Sequence, residues 1–304
     1  MQKPDALSCC MMALVGAMWG LHGPAIKFAF AAGLTFPQLV FGEYLVGAIV
    51  FGLAVAMQGS GASGDRRFWI ILVLAGVVGC GVPLFLFWAY RLGPVPIGAT
   101  LLFLFVPFTQ LINAVVRRRA PAPREFIAAL LVVAGAVLGA DFIGQVTAGN
   151  LDGAPFAVLA ALCYAGFFVL TSRLGHSATP AFRSMICSAI GCSIMLVLGL
   201  TAGWPLVPSG IAVSTAAIWL ISLGVLGQVV PLFLLVNFGP RTGSALGSIL
   251  TSTELPVAIG ASVILLGESV TALQLVGVAL VLGGITLPHL SRLGRTAAPT
   301  APSA

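Results

Sequence analysis

Four ionisable side chains lie within long apolar stretches of this sequence, and their types make them the candidates for chemistry. Glu254 is preceded by three hydroxyl residues and followed by Pro256, which breaks a helix. Glu43 lies about a third of the way into another stretch, and His22 and Lys27 share a third. A charge in an apolar medium costs ~2.5–3.5 kcal/mol, so such residues are functional candidates. The pattern predicts that Glu254 above all binds a proton or the positive group of a substrate.

A structural role competes with a functional one at each of these positions. Glu254 can be a protonated side chain bonded to a neighbouring helix, and Glu43 can pair with Lys27 or Arg91, both on the outer side. Lys27 can also serve as an interfacial anchor. His22 can be a satisfied packing residue, although its spacing from Trp19 places both on one helical face.

Aromatic and neutral polar residues extend this candidate set. Trp88 and Tyr164 would stack on an apolar or aromatic solute if they face the inside of a helix bundle, and would be ordinary membrane residues if they face lipid. Gln228 would hydrogen-bond a substrate or join two helices. The six cysteines fit neither a disulfide framework nor a metal site, so we predict no cofactor and no metal.

The stretches that carry these residues are long enough to cross a bilayer. Hydrophobic residues make up 59% of the chain and charged residues 7%, against about 25% charged residues in a soluble domain. A spanning helix needs about 20 mostly apolar residues. The sequence therefore predicts an all-α integral membrane protein with ten transmembrane helices. The predicted spans are 8–30, 36–57, 68–90, 95–116, 125–143, 153–174, 181–202, 214–236, 243–265 and 270–290.

The distribution of positive charge predicts the orientation of the chain. With a cytoplasmic N-terminus, all of the 14 Lys and Arg residues except Lys27 and Arg91 lie on the cytoplasmic side. We therefore expect both termini in the cytoplasm. We also expect a multi-pass protein of the bacterial plasma (inner) membrane, with a disordered cytoplasmic tail at 291–304, where Ala, Pro, Thr and Ser dominate the last residues. The basic clusters are expected to contact membrane lipid and not nucleic acid, which needs a basic patch on one soluble surface.

An internal repeat divides the chain into two halves. The pentapeptide Val82–Leu86 recurs as Val230–Leu234, and Pro107 is matched by Pro256 further along. Each copy holds five predicted spans, so the second copy must enter the membrane in the opposite orientation. Inverted repeats of this kind are typical of transporters. The predicted five-helix repeats occupy 8–143 and 151–290.

Several short motifs in this duplicated layout resemble the EamA family of the drug/metabolite transporter superfamily. They are Trp19-Gly20 followed by Lys27, the mid-span Pro107 and Pro256, Gly267-Glu268 before the last span, and the glycine-rich final helix Gly277 to Gly284. The family often carries Arg in the second span, a few residues after a proline like Pro37, where this chain has Glu43. The resemblance covers about 8–290.

The resemblance implies a secondary transporter that exports small metabolites, amino acids or amphipathic drugs by alternating access. A small-molecule substrate and protons are then the expected partners. The alternatives are a membrane-embedded enzyme and a channel-like facilitator. An enzyme would need a nucleophile beside a base, and no such motif is evident, so we predict that the protein is not an enzyme.

Overall fold

The computed structural model describes residues 6–62, 64–118, 122–139, 152–174 and 178–297, and within these ranges the chain is helical without β-strands. The helices are α1 (Ala6–Ala31), α2 (Phe36–Gln58), α3 (Arg66–Leu92), α4 (Val95–Leu102), α5 (Phe105–Arg117), α6 (Pro123–Gly139), α7 (Ala154–Thr171), α8 (Pro180–Ala202), α9 (Val213–Leu223), α10 (Val230–Thr251), α11 (Glu254–Leu266) and α12 (Ala272–Ala297), with a π-helical turn (Gly224–Val229) between α9 and α10. The predicted tail, 291–304, overlaps the end of α12 and otherwise lies outside the described residues.

Eight helical segments of the described ranges are long and apolar enough to cross a membrane. They identify a multi-pass integral membrane protein. Helix α6 has 17 residues, and the apolar part of α12, Ala272–Leu287, is also short, so the count of ten remains a prediction. The eight segments are Ala6–Ala31, Phe36–Gln58, Arg66–Leu92, Val95–Val116, Ala154–Thr171, Pro180–Ala202, Val213–Leu235 and Ile249–Leu266.

Two predicted spans are broken at matching places. The break between α4 and α5 lies just before Pro107, and the break between α10 and α11 lies just before Pro256. In each break a backbone N–H donates to the carbonyl three residues earlier, from Leu104 over 3.0 Å and from Thr253 over 3.3 Å. Proline supplies no N–H for the carbonyl four residues before it, which favours these tighter turns. The structure thus places this boundary after α10, not at the gap predicted before residue 243.

Glycines bring α6 and α12 into close contact. A Cβ on Gly135 would lie 2.6 Å from the carbonyl oxygen of Gly277, and a Cβ on Gly284 would lie 2.8 Å from that of Ala128. Gly284 follows Gly135 by the same number of residues as Gly277 follows Ala128. Exchanging α6 with α12 therefore turns one of these contacts into the other. Positions nearer the C-terminus of α6 contact positions nearer the N-terminus of α12, so these two helices run antiparallel.

Several other helix pairs follow the same exchange symmetry. Helix α3 packs on α7 as α1 packs on α10, and α5 packs on α7 as α1 packs on α11. Helix α2 packs on α8, its counterpart in the second half. The two halves therefore share one interface, and the space enclosed along that interface is where a site common to both would lie.

Candidate functional site

A cavity of about 430 Å³ lies between the two halves. This volume is within the range of small-molecule sites. Its walls come from both repeats, including the π-helical turn and the first residue of α11. The predicted site residues that line it are Trp19, His22, Glu43, Tyr164, Gln228 and Glu254.

His22 and Glu43 are joined by a hydrogen bond within the cavity wall. The Nε2 atom of His22 lies 2.5 Å from Oε1 of Glu43, and the two side chains are only 12% and 7% exposed. The His22 ring also contacts Phe87 edge-on, with 5.5 Å between the ring centroids. Glu43 is thus paired with a histidine of α1 and not with Lys27 or Arg91, the partners considered from the sequence.

Glu254 lies at the N-terminus of α11 and faces the cavity. Among the described residues its carboxylate has no hydrogen-bond partner, although His22, Tyr90 and Tyr164 line the same cavity. A helix N-terminus favours negative charge. Gly20 allows α1 to approach closely here, since a Cβ would lie 2.6 Å from the Glu254 carbonyl oxygen. The arrangement presents a half-buried carboxylate that can accept hydrogen bonds from a ligand.

Trp19 binds a backbone carbonyl that a proline leaves without a partner. Pro231 has no N–H to donate to the carbonyl of Gly227, four residues earlier in the helix. The indole Nε1–H of Trp19 donates to that carbonyl over 2.9 Å. The helix widens here into the π-helical turn Gly224–Val229, a feature that is frequent at functional sites. Trp19 therefore joins α1 to the π-helical turn of the second half.

Tyr44 makes the equivalent contact in the first half. Pro83 leaves the carbonyl of Gly79 without its usual donor, and the Tyr44 hydroxyl donates to it over 3.1 Å. The sequence reasoning missed this residue. The signal was available in the repeated pentapeptide, because its proline predicts a free carbonyl at the same position in each copy.

Gln228 joins two helices. Its Nε2 donates to the hydroxyl of Ser188 on α8 over 2.7 Å. A Cβ on Gly47 would lie 2.7 Å from the same Nε2, so α2 can approach only because glycine stands there. Of the two predicted roles, the geometry supports helix joining, while the side chain also borders the cavity.

Lys27 lies away from the cavity wall, in a cluster at one end of the bundle. Its Nζ donates to the carbonyl of Gly93 over 2.7 Å, and Oε1 of Glu268 accepts from the Val95 N–H over 3.3 Å. Burial raises the pKa of the Glu268 carboxyl above its ordinary value, against the lowering effects of the Val95 N–H and Lys27. These contacts tie α1, α4 and the α11–α12 loop together.

Trp88 also lies outside the cavity lining. Its ring stacks on Phe156 with 4.5 Å between centroids and on Phe36 with 5.1 Å, and Trp204 meets it edge-on at 5.9 Å. These rings form a separate aromatic cluster, so the role of Trp88 in the structure is packing.

Comparison with known proteins identifies the family. The model of the EamA-like transporter family matches residues 6–139 and 151–288, one match in each half. The chain belongs to the EamA-like transporter family. This result confirms the resemblance inferred from the sequence and, with the apolar helices, identifies a membrane transporter fold.

Structural comparison agrees with this assignment. A solved structure titled only "Crystal structure of protein" is 17% identical, covers 92% of this chain and 98% of its own, and has a TM-score of 0.63. At this level of identity the likeness shows the fold alone. No match was found among the curated proteins.

Proposed function

We propose that this protein is a secondary transporter that moves small solutes across the bacterial plasma membrane by alternating access. The observation that carries the proposal is the cavity of about 430 Å³ between two halves whose contacts are exchanged by a pseudo-two-fold axis. The antiparallel packing of α6 and α12 supports ten helices arranged as inverted repeats. The solutes we propose are small metabolites, amino acids or amphipathic drugs, moved outward.

The two ends of the cavity differ in a way that fits one access state of such a cycle. Toward the end where α7 stops and α8 begins, the lining continues to Leu174, Pro180 and Arg183. At the opposite end, Lys27 and Glu268 tie three elements together. The positive-inside rule assigns the first end to the cytoplasm, so we infer an inward-facing state with cytoplasmic termini.

We further propose protons as the coupling ion, exchanged at Glu254. The charged or titratable side chains that line the cavity with Glu254 are His22, Glu43, Tyr44, Tyr90, Tyr164, Arg183 and Cys187. A carboxylate without a hydrogen-bond partner in the described structure can take up a proton when the cavity is empty and release it when a ligand arrives. This competition would couple the two fluxes.

Reconstitution tests the proposal. Purified protein in liposomes should accumulate or release at least one member of a panel of amines, amino acids and neutral metabolites when a pH gradient is imposed. Protein-free liposomes are the control. Saturable flux that collapses with the gradient would support the transporter, whereas flux equal to that of protein-free liposomes across the panel would contradict it. Rapid, non-saturable equilibration would instead indicate a channel-like facilitator.

A further inference from the structure

We propose that the cavity binds a compact amphipathic cation, with an amine or quaternary ammonium group at Glu254 and an aromatic or apolar body against the opposite wall. The inference rests on the proposed function and names its substrate class. Two surfaces carry it. The polar wall is formed by His22, Glu43 and Glu254, and the aromatic wall by Tyr164, Phe167 and Phe168 backed by Phe105.

The two walls occupy equivalent places in the two repeats. Gly79 and Gly227 stand three residues before the repeated pentapeptides. The His22 ring packs on Gly227, while a Cβ on Gly79 would lie 2.9 Å from the ring of Phe167. His22 and Phe167 therefore occupy equivalent positions in the two repeats. Trp19 lies three residues before His22 and Tyr164 three residues before Phe167, so Trp19 and Tyr164 are equivalent as well.

The two acids have neutral counterparts as well. A second pair of equivalent glycines supports the match. Gly76 of α3 contacts Ile190, and Gly224 of the π-helical turn contacts Val46. This match aligns α2 with α8, so that Glu43, three residues before Val46, corresponds to Cys187.

Glu254 corresponds to Phe105. Each is the first residue of its helix and lies two residues before the matched Pro256 or Pro107. Every ionisable residue of the polar wall is thus replaced by a neutral one in the other half. A pseudo-symmetric frame consequently encloses a site that is polar on one side and apolar on the other.

The polar wall is suited to a positive group. His22 and Glu43 already satisfy each other, while Glu254 has no hydrogen-bond partner among the described residues. An ionised carboxylate only accepts hydrogen bonds, and an ammonium group only donates them. Arg183 borders the cavity from α8, near the end where α7 stops and α8 begins, whereas the polar wall is formed from α1, α2 and α11.

The aromatic wall is suited to the rest of the same ligand. Tyr164 lies 4.6 Å from Phe105 and 4.9 Å from Phe168 between ring centroids, and Phe105 stacks on Phe168 at 5.5 Å. Aromatic faces attract cations as well as apolar groups. Tyr164 and Glu254 line the same cavity of about 430 Å³, so one small ligand can contact both walls.

Equilibrium binding to the purified protein tests the class directly. Calorimetry at neutral pH would compare 2-phenylethylamine with its neutral isostere 2-phenylethanol, its anionic relative phenylacetate, and propylamine, which lacks the ring. We expect the aromatic amine to bind at least ten times more tightly than each of the other three. Equal binding of the alcohol or of phenylacetate, or no binding of the aromatic amine, would overturn the proposal.

Matched variants assign the two walls. We expect E254Q and F168A each to weaken binding of 2-phenylethylamine at least tenfold. The controls E125Q and F126A alter an acid and a phenylalanine of α6 that do not line the cavity, and should leave the affinity unchanged. Full affinity in E254Q, with thermal stability equal to the native protein, would contradict the role of the polar wall.

These results are separable from those for transport. Selective amine binding without any flux in liposomes would uphold the ligand class and contradict the transporter. Flux of other solutes without amine binding would do the reverse.

Discussion

Replacement of Tyr44 by Phe isolates the hydrogen bond to the carbonyl that Pro83 leaves free. The change removes one hydroxyl from a side chain that is 7% exposed, so packing is otherwise kept. A buried carbonyl without a donor costs about 1–3 kcal/mol, whereas hydrogen bonds between membrane helices average about 0.6 kcal/mol. We expect a loss near 1 kcal/mol, about a fivefold change in the folding equilibrium.

A double-mutant cycle decides whether the proline is the cause. Pro83→Ala restores an N–H that can reach the Gly79 carbonyl within the helix, so Tyr44→Phe should cost much less in that background. The assay is reversible unfolding in mixed detergent micelles, followed by circular dichroism. Tyr164→Phe is the control, because its hydroxyl has no hydrogen-bond partner in the described part of the chain. An equal cost of Tyr44→Phe in both backgrounds would refute the reasoning.

Four further changes probe other parts of the account. Trp19→Phe should lower the free energy of unfolding by about 1 kcal/mol. This loss should be smaller in a Pro231→Ala background, and an equal loss there would contradict the role of the Gly227 carbonyl. Glu254→Gln should abolish both pH-driven transport and exchange without a pH gradient; retained exchange would leave Glu254 a proton site only. Gly284→Leu should impair folding because α6 leaves no room for a side chain, and native-level stability would contradict the close contact. Lys27→Met should increase labelling of the cavity from the outside, as judged with an impermeant thiol reagent and F167C in a variant whose six native cysteines are replaced; unchanged labelling would argue against the closed end.

The helical layout was largely predictable because it depends on local sequence. Long apolar stretches predict membrane helices, and the repeated pentapeptide predicts equivalent places in the two halves. The positions of the breaks within the helices were harder to predict. The hydropathy pattern suggests a gap before residue 243, whereas the chain breaks at Ser252 and Thr253, where Pro256 withdraws a backbone donor.

The candidate site was predictable only in part because it is built from tertiary contacts. The types and depths of His22, Glu43 and Glu254 marked them as candidates, but the pairing of His22 with Glu43 depends on how α1 and α2 pack. Trp88 could not be separated from Tyr164 by sequence, since both are aromatic residues in apolar stretches. The structure places Tyr164 in the cavity lining and Trp88 in the separate stack on Phe156.

Counterflow tests the central proposal, alternating access, most directly. Liposomes containing the purified protein would be preloaded with an unlabelled solute of the panel and diluted into a trace of the same solute carrying a radiolabel. A carrier with one cavity exposed to each side in turn is predicted to produce a transient accumulation of label inside, well above the equilibrium level. Passive equilibration of the label without any overshoot, for every solute that the protein moves, would contradict alternating access.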